Sequence, residues 1–148
     1  MKTFGLAIAL ALLGFDAGMS HAQAPVAPCG LTSVTPGAEL LYPPIARAAH
    51  VSGTVVVLST FDQTGKMIAA KVFSGPEMLR YSTVEYLKHL RANEFTGPRE
   101  CAVAVTFRII GVPHECKGEE PRPSQKTTIT DPQHIVIEYP SLCFVTMY

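Results

Sequence analysis

Nine residues, "CAVAVTFRI" at 101–109, constrain this fold more than any other stretch of the chain. Cys101, Val103, Val105, Phe107 and Ile109 alternate with Ala102, Ala104, Thr106 and Arg108. That two-residue period predicts a strand with one buried face and one lighter face. The buried face needs a second layer, and residues 77–92 supply one. There Leu79, Thr83, Tyr86, Leu87 and Leu90 recur at three- and four-residue spacing, the stripe of an amphipathic helix. Glu77 near its start and Lys88, His89 and Arg91 near its end complement the helix dipole. The odd-numbered strand face is therefore expected to pack on Leu79, Leu87 and Leu90.

Upstream, the order of pieces is equally ordered. Pro43 and Pro44 suit a helix start, where a missing N–H loses nothing. "IARAAH" supplies about two helical turns, which Ser52 and Gly53 end. "TVVVLSTFD" is rich in β-branched residues and predicts a strand. "DQTG" is a short polar connection with Gly65 available for a positive φ, and "KMIAAKVFS" returns as a second strand. Ser74, Gly75 and Pro76 break it. Residues 25–41 are rich in Pro, Ala, Gly, Ser and Thr without an apolar period and read as a linker or a loosely docked arm. After the 101–109 strand comes a proline-rich polar loop, then "KTTIT", "HIVIEY" and "LCFVTMY", three short strand-like runs. The last is apolar on both faces and is expected to be buried.

At 148 residues the chain has one domain's worth of sequence. Twelve Lys and Arg balance twelve Asp and Glu, so no global field exists to hold a polyanion. Nucleic acid and anionic membrane are poor default partners. Residues 1–24 read as a cleaved signal peptide: Lys2 is the basic start, residues 4–15 are apolar, and Ala22 and Ala24 form the A-x-A site. The apolar run is shorter than the roughly 20 residues of a spanning helix. The mature chain is therefore expected outside the cytoplasm, beginning near Pro25. Export makes Cys29, Cys101, Cys116 and Cys143 an even set in an oxidising compartment. Three pairings are open; the preferred one joins Cys116 to Cys143 and Cys29 to Cys101.

Groups able to do chemistry are sparse. The chain has no G-x-S-x-G, P-loop, H-E-x-x-H or Rossmann glycine pattern, so no catalytic residue and no cofactor are expected. Asp62 reads as a turn residue, and His50 and His89 as helix C-terminal residues favoured by partial negative charge. A zinc site from His114, Cys116, Cys101 and Cys143 is the remote alternative, because thiolates and imidazole are zinc ligands. Cys101 can equally be a small buried hydrophobe.

The stretch 42–109 resembles the TonB C-terminal domain family. The features that carry the resemblance are "YPPIARAAHVSGTVVV", the "DQTGK" hairpin, "VFSG", the helix beginning "PEML" and the closing "VAVTFRI". It implies an α+β fold for residues 42–110: a two-layer domain with a three-stranded antiparallel sheet in order 2-1-3. A short and a long helix would lie on one face, and residues 111–148 would form a loop and a β extension. It also implies a periplasmic location and a role. Such proteins link an inner-membrane motor to outer-membrane transporters and bind the transporter's extended segment by adding it to the last strand's edge, β-augmentation. Carried over, that edge is Ala102, Val103, Ala104, Val105, Thr106, Phe107 and Arg108, and the partner is a protein or peptide such as a transporter segment. In the alternative reading "HIVIEY" or "LCFVTMY" lies on that edge within the same chain, leaving a stand-alone structural domain.

Overall fold

The computed structural model describes residues 29–116 and 124–144. The signal-peptide reading of residues 1–24 falls outside the described residues, as do the centre of the polar loop and the end of the final run. In chain order the elements are β1 (Leu31–Thr35), α1 (Pro44–Ala48), β2 (Gly53–Phe61), β3 (Met67–Ser74), α2 (Glu77–His89), β4 (Arg91–Phe95), β5 (Glu100–Ile110), β6 (Lys126–Asp131) and β7 (His134–Pro140). The fold class is α+β.

The alternation at 101–109 becomes β5, and its phase sets the core. Cys101, Val103, Val105 and Phe107 are buried, as are Val55, Val57 and Phe61 of β2, its antiparallel neighbour. They join Leu79, Leu87 and Leu90 of the α2 region in one core cluster. Tyr42 ties the short helix to this core. Its ring meets Phe107 edge-on at 5.2 Å and its hydroxyl donates to Val51 O at 2.7 Å. The two helices therefore cover one face of the sheet, on which Ala46 of α1 is also fully buried.

The sheet is larger than the resemblance implies. Instead of three strands in order 2-1-3, it has five in the order β3-β2-β5-β7-β6, and a second sheet pairs β1 with β4. It is also mixed, since β7 runs parallel to β5 whereas the other pairs are antiparallel. The reason lies in β7 itself. Ile135, Ile137 and Tyr139 are buried on the helix face, so adding this strand both pairs the edge of β5 and enlarges the core.

The β1–β4 pair corrects two further expectations. Residues 31–35 are not a loose arm: β-branched "LTSVT" pairs with β4, Leu31 is buried, and Cys29 is bonded to Cys101. The long helix stops at His89 rather than Ala92. Leu90 turns extended (ψ 137°) while staying buried, and Ala92 N–H then donates to Gly65 O at 2.9 Å. Helix continuation would have lost that link and the pairing with β1.

Two backbone positions make specific predictions. Gly65 has φ 78°, and a Cβ there would fall on the carbonyl oxygen of Ala92. Gly65→Ala is expected to lose roughly 2–3 kcal/mol of stability, from left-handed strain plus displacement of β4; denaturant melts check it, and a change under 0.5 kcal/mol would mean that β4 is not docked there. Helix α1 ends in a Schellman turn, with His50 N–H on Arg47 O (3.1 Å) and Val51 N–H on Ala46 O (2.8 Å). His50 occupies the left-handed position (φ 53°) that glycine adopts without strain. His50→Gly should therefore stabilise the domain by about 1 kcal/mol, read as a raised denaturation midpoint; a lowered midpoint would show that the imidazole holds the turn.

Candidate functional site

The predicted binding edge, Ala102 to Arg108, lies along β5, whose alternating backbone groups divide its roles. Odd-numbered residues pair towards β2: Phe107 lies opposite Gly53, Val105 opposite Val55 and Val103 opposite Val57. Their side chains enter the core. Ala102, Ala104 and Thr106 are half-buried and Arg108 is exposed, on the other face of the sheet. The backbone of these even-numbered residues points to the outer edge, since Ala104 N–H donates to Gln133 O at 2.7 Å.

That outer edge is paired along its length. Ala104 through Ile110 lie in parallel register with His134 through Pro140. Before the strand pair begins, the Gln133 side-chain amide donates to Ala102 O at 3.0 Å. Beyond it, Ser141 N–H donates to Ile110 O at 2.7 Å. The two strands stay side by side as they leave the sheet. Phe144 N–H donates to His114 O at 2.9 Å, Cys116 N–H donates to Phe144 O at 3.0 Å, and the Cys116–Cys143 disulfide joins them. Arg108 and Glu138 add a 3.9 Å ion pair across the exposed face, a contact of small energetic weight.

The occupying strand comes from "HIVIEY"; "LCFVTMY" is not its rival. Contrary to the expectation of burial, Leu142 is 39% and Phe144 52% exposed. Among the described residues of this run these two alternate with Cys143, whose side chain is bonded to Cys116.

The cysteines form Cys29–Cys101 and Cys116–Cys143, with chain separations of 72 and 27 residues. Bridges closing loops of such lengths stabilise by roughly 3.5–4.5 kcal/mol each through the unfolded chain. All four sulfurs are thereby consumed, and the Cys/His zinc reading loses its thiolates. Among the described residues no other His, Cys, Asp and Glu grouping could hold a metal ion.

Two carboxylates, Asp62 and Asp131, close turns. Asp62 Oδ1 accepts from Thr64 N–H (2.8 Å), Thr64 Oγ1 (2.7 Å) and Lys66 N–H (3.0 Å). These bonds, led by that from the Thr64 hydroxyl, hold its carboxyl below the ordinary carboxylate value. His134 Nδ1 lies 2.9 and 2.8 Å from the two Asp131 carboxylate oxygens, at the β6–β7 turn. Burial works to raise the Asp131 carboxyl, but the bonds from His134 and the Gln133 N–H outweigh it and the carboxyl lies low.

What the sequence did not announce is the Gln133 side-chain cap and the β1–β4 pair. The signal for β1 is present in the β-branched "LTSVT"; none marks Gln133 before the register of β7 is known. Comparison with protein-family models, with curated proteins and with solved structures finds no match to the chain.

Proposed function

We propose that this chain is an exported protein-binding domain of TonB C-terminal type, not an enzyme, whose β5 edge is closed by its own strand β7. One observation carries the reading: β7 satisfies the outward backbone groups of β5 from Ala104 to Ile110. A transporter segment could add there only after β7 had left, and β7 is held by buried Ile135 and Ile137 and by the Cys116–Cys143 bridge. Energy transduction through that edge is therefore disfavoured relative to a stand-alone binding domain. The succession of short helix, hairpin, long helix and strand supports the family reading, and the disulfides support an oxidising compartment such as the periplasm.

Peptides copying outer-membrane transporter plug segments test the closure. The intact mature protein should not bind them, by fluorescence anisotropy up to high micromolar concentration. Binding accompanied by shifted β5 amides would sink the closed-edge reading and restore the transducer. Export has its own test: the secreted protein should begin at Pro25 or within a few residues of it, and a full-length chain in the inner-membrane fraction would refute cleavage.

A further inference from the structure

The five-stranded sheet has two outer edges, β6 and β3, and they meet solvent differently. The β6 edge ("KTTITD") is short and polar, with Lys126 and Asp131 at its ends. Gln125, just before it, bonds through its side-chain amide to Glu39 Oε1 (2.9 Å) and Leu40 O (2.6 Å). Such an edge resists strand addition. The β3 edge is longer and carries one charged residue, Lys71. It exposes Ile68 at 63% and Phe73 at 80%. Among the described residues no strand pairs with its outer side, so alternate N–H and C=O groups there have no ladder partner.

Next to this edge, β3 and α2 bound a groove of about 620 Å³. Its ionisable lining residues are Lys66, Lys88, His89 and Arg91, all basic, set around the backbone of residues 67–70 and Val84. The nearby carboxylate of Glu85 is already engaged by Lys88. At the foot of the groove Lys66 and Arg91 are bridge partners, so β4 marks where the open edge begins.

We infer that an extended, acidic-apolar segment of a partner protein adds to β3 as a further strand, with its carboxylates on Lys66 and Arg91. The backbone ladder supplies attachment and the basic groove supplies selectivity. A second copy of this chain fits less well, because it would set one basic groove and one Lys71 against another. The inference rests on the protein-binding reading above and moves its site from β5 to β3.

The test uses the mature chain with both disulfides intact, isotope-labelled, and two fluorescent octapeptides, one alternating Glu and Val and one alternating Lys and Val. The Glu peptide is expected to bind and to shift amides of β3 and of residues 84–91. Lys66→Glu combined with Arg91→Glu, both at exposed positions, should weaken it at least tenfold while leaving the amide spectrum folded. The Lys peptide should bind at least tenfold more weakly than the Glu peptide, and raised salt should narrow that gap. Equal binding of the two peptides, no binding at millimolar concentration, or dimerisation through β3 would overturn the inference. Shifts centred on β5 with release of β7 would overturn it too, and would overturn the closed-edge reading with it. Shifts confined to the β6 edge would remove β3 while leaving the closed-edge reading intact.

Discussion

Phe107→Asp is expected to unfold the domain at ordinary temperature, whereas Arg108→Asp, one residue on, should leave it folded. Phe107 is fully buried against the Tyr42 ring, in a strand that has neighbours on both sides. The substitution removes roughly 3–5 kcal/mol of aromatic packing and places a carboxylate in the apolar core, adding several kcal/mol more. That sum matches the whole stability of a typical domain, about 5–15 kcal/mol. Arg108 is 59% exposed, and its 3.9 Å partner Glu138 is on the same open face. Reversing its charge puts two carboxylates side by side at a cost of about 1 kcal/mol or less. Thermal melts of the two variants decide the matter. Equal damage would mean that the strand faces are assigned the wrong way round, and Val105→Asp, also fully buried, provides an independent repeat.

Removing the strand that closes β5 should be nearly as damaging, and in a pattern that identifies the cause. A chain ending at Lys126, with Cys116→Ser to avoid a stray thiol, lacks Ile135 and Ile137, both fully buried. At about 2 kcal/mol for each isoleucine, global stability falls by at least roughly 4 kcal/mol, near a thousandfold in amide protection at about 1.4 kcal/mol per decade, and loss of the Cys116–Cys143 bridge lowers it further. On top of that, even-numbered β5 amides, such as Ala104 and Thr106, lose their bonding partners in Gln133 and β7. Odd-numbered amides keep theirs in β2. Amide exchange should therefore show protection of Ala104, Thr106 and Arg108 collapsing beyond that of Val103 and Val105. An equal loss at even and odd positions would reduce the role of β7 to general stabilisation. Unchanged protection would place some other cover on the edge.

Much of this arrangement is legible in side-chain period alone. The strand at 101–109 and the stripe Leu79, Thr83, Tyr86 and Leu87 announce their buried faces because burial repeats every two residues in one and every three or four in the other. "DQTG" announces its turn because Asp62 bonds its own backbone and Gly65 accepts a positive φ. The candidate site was legible only in part. Residues 102–108 read correctly as a strand, but whether its outer edge is free depends on residues some thirty positions away, and period carries no information about which strand lies beside which.

Residue pattern settles local features: the faces of β2, β5 and α2, the hairpin turn, and a cysteine set suited to bridges. Tertiary structure alone decided the rest. "RANEF" could have extended α2 by another turn, and became β4 because Gly65 and β1 offered backbone partners that a helix would have forgone. "HIVIEY" could have paired with any exposed edge. It lies parallel on β5 because that register alone buries Ile135 and Ile137 beside Val105 and Phe107 while satisfying a row of polar backbone groups. Side-chain pattern is set within a few residues, whereas an edge is closed or left open by backbone hydrogen bonds that every residue type except proline can make. For that reason β5 is covered and β3, among the described residues, is not, although their sequences do not say so.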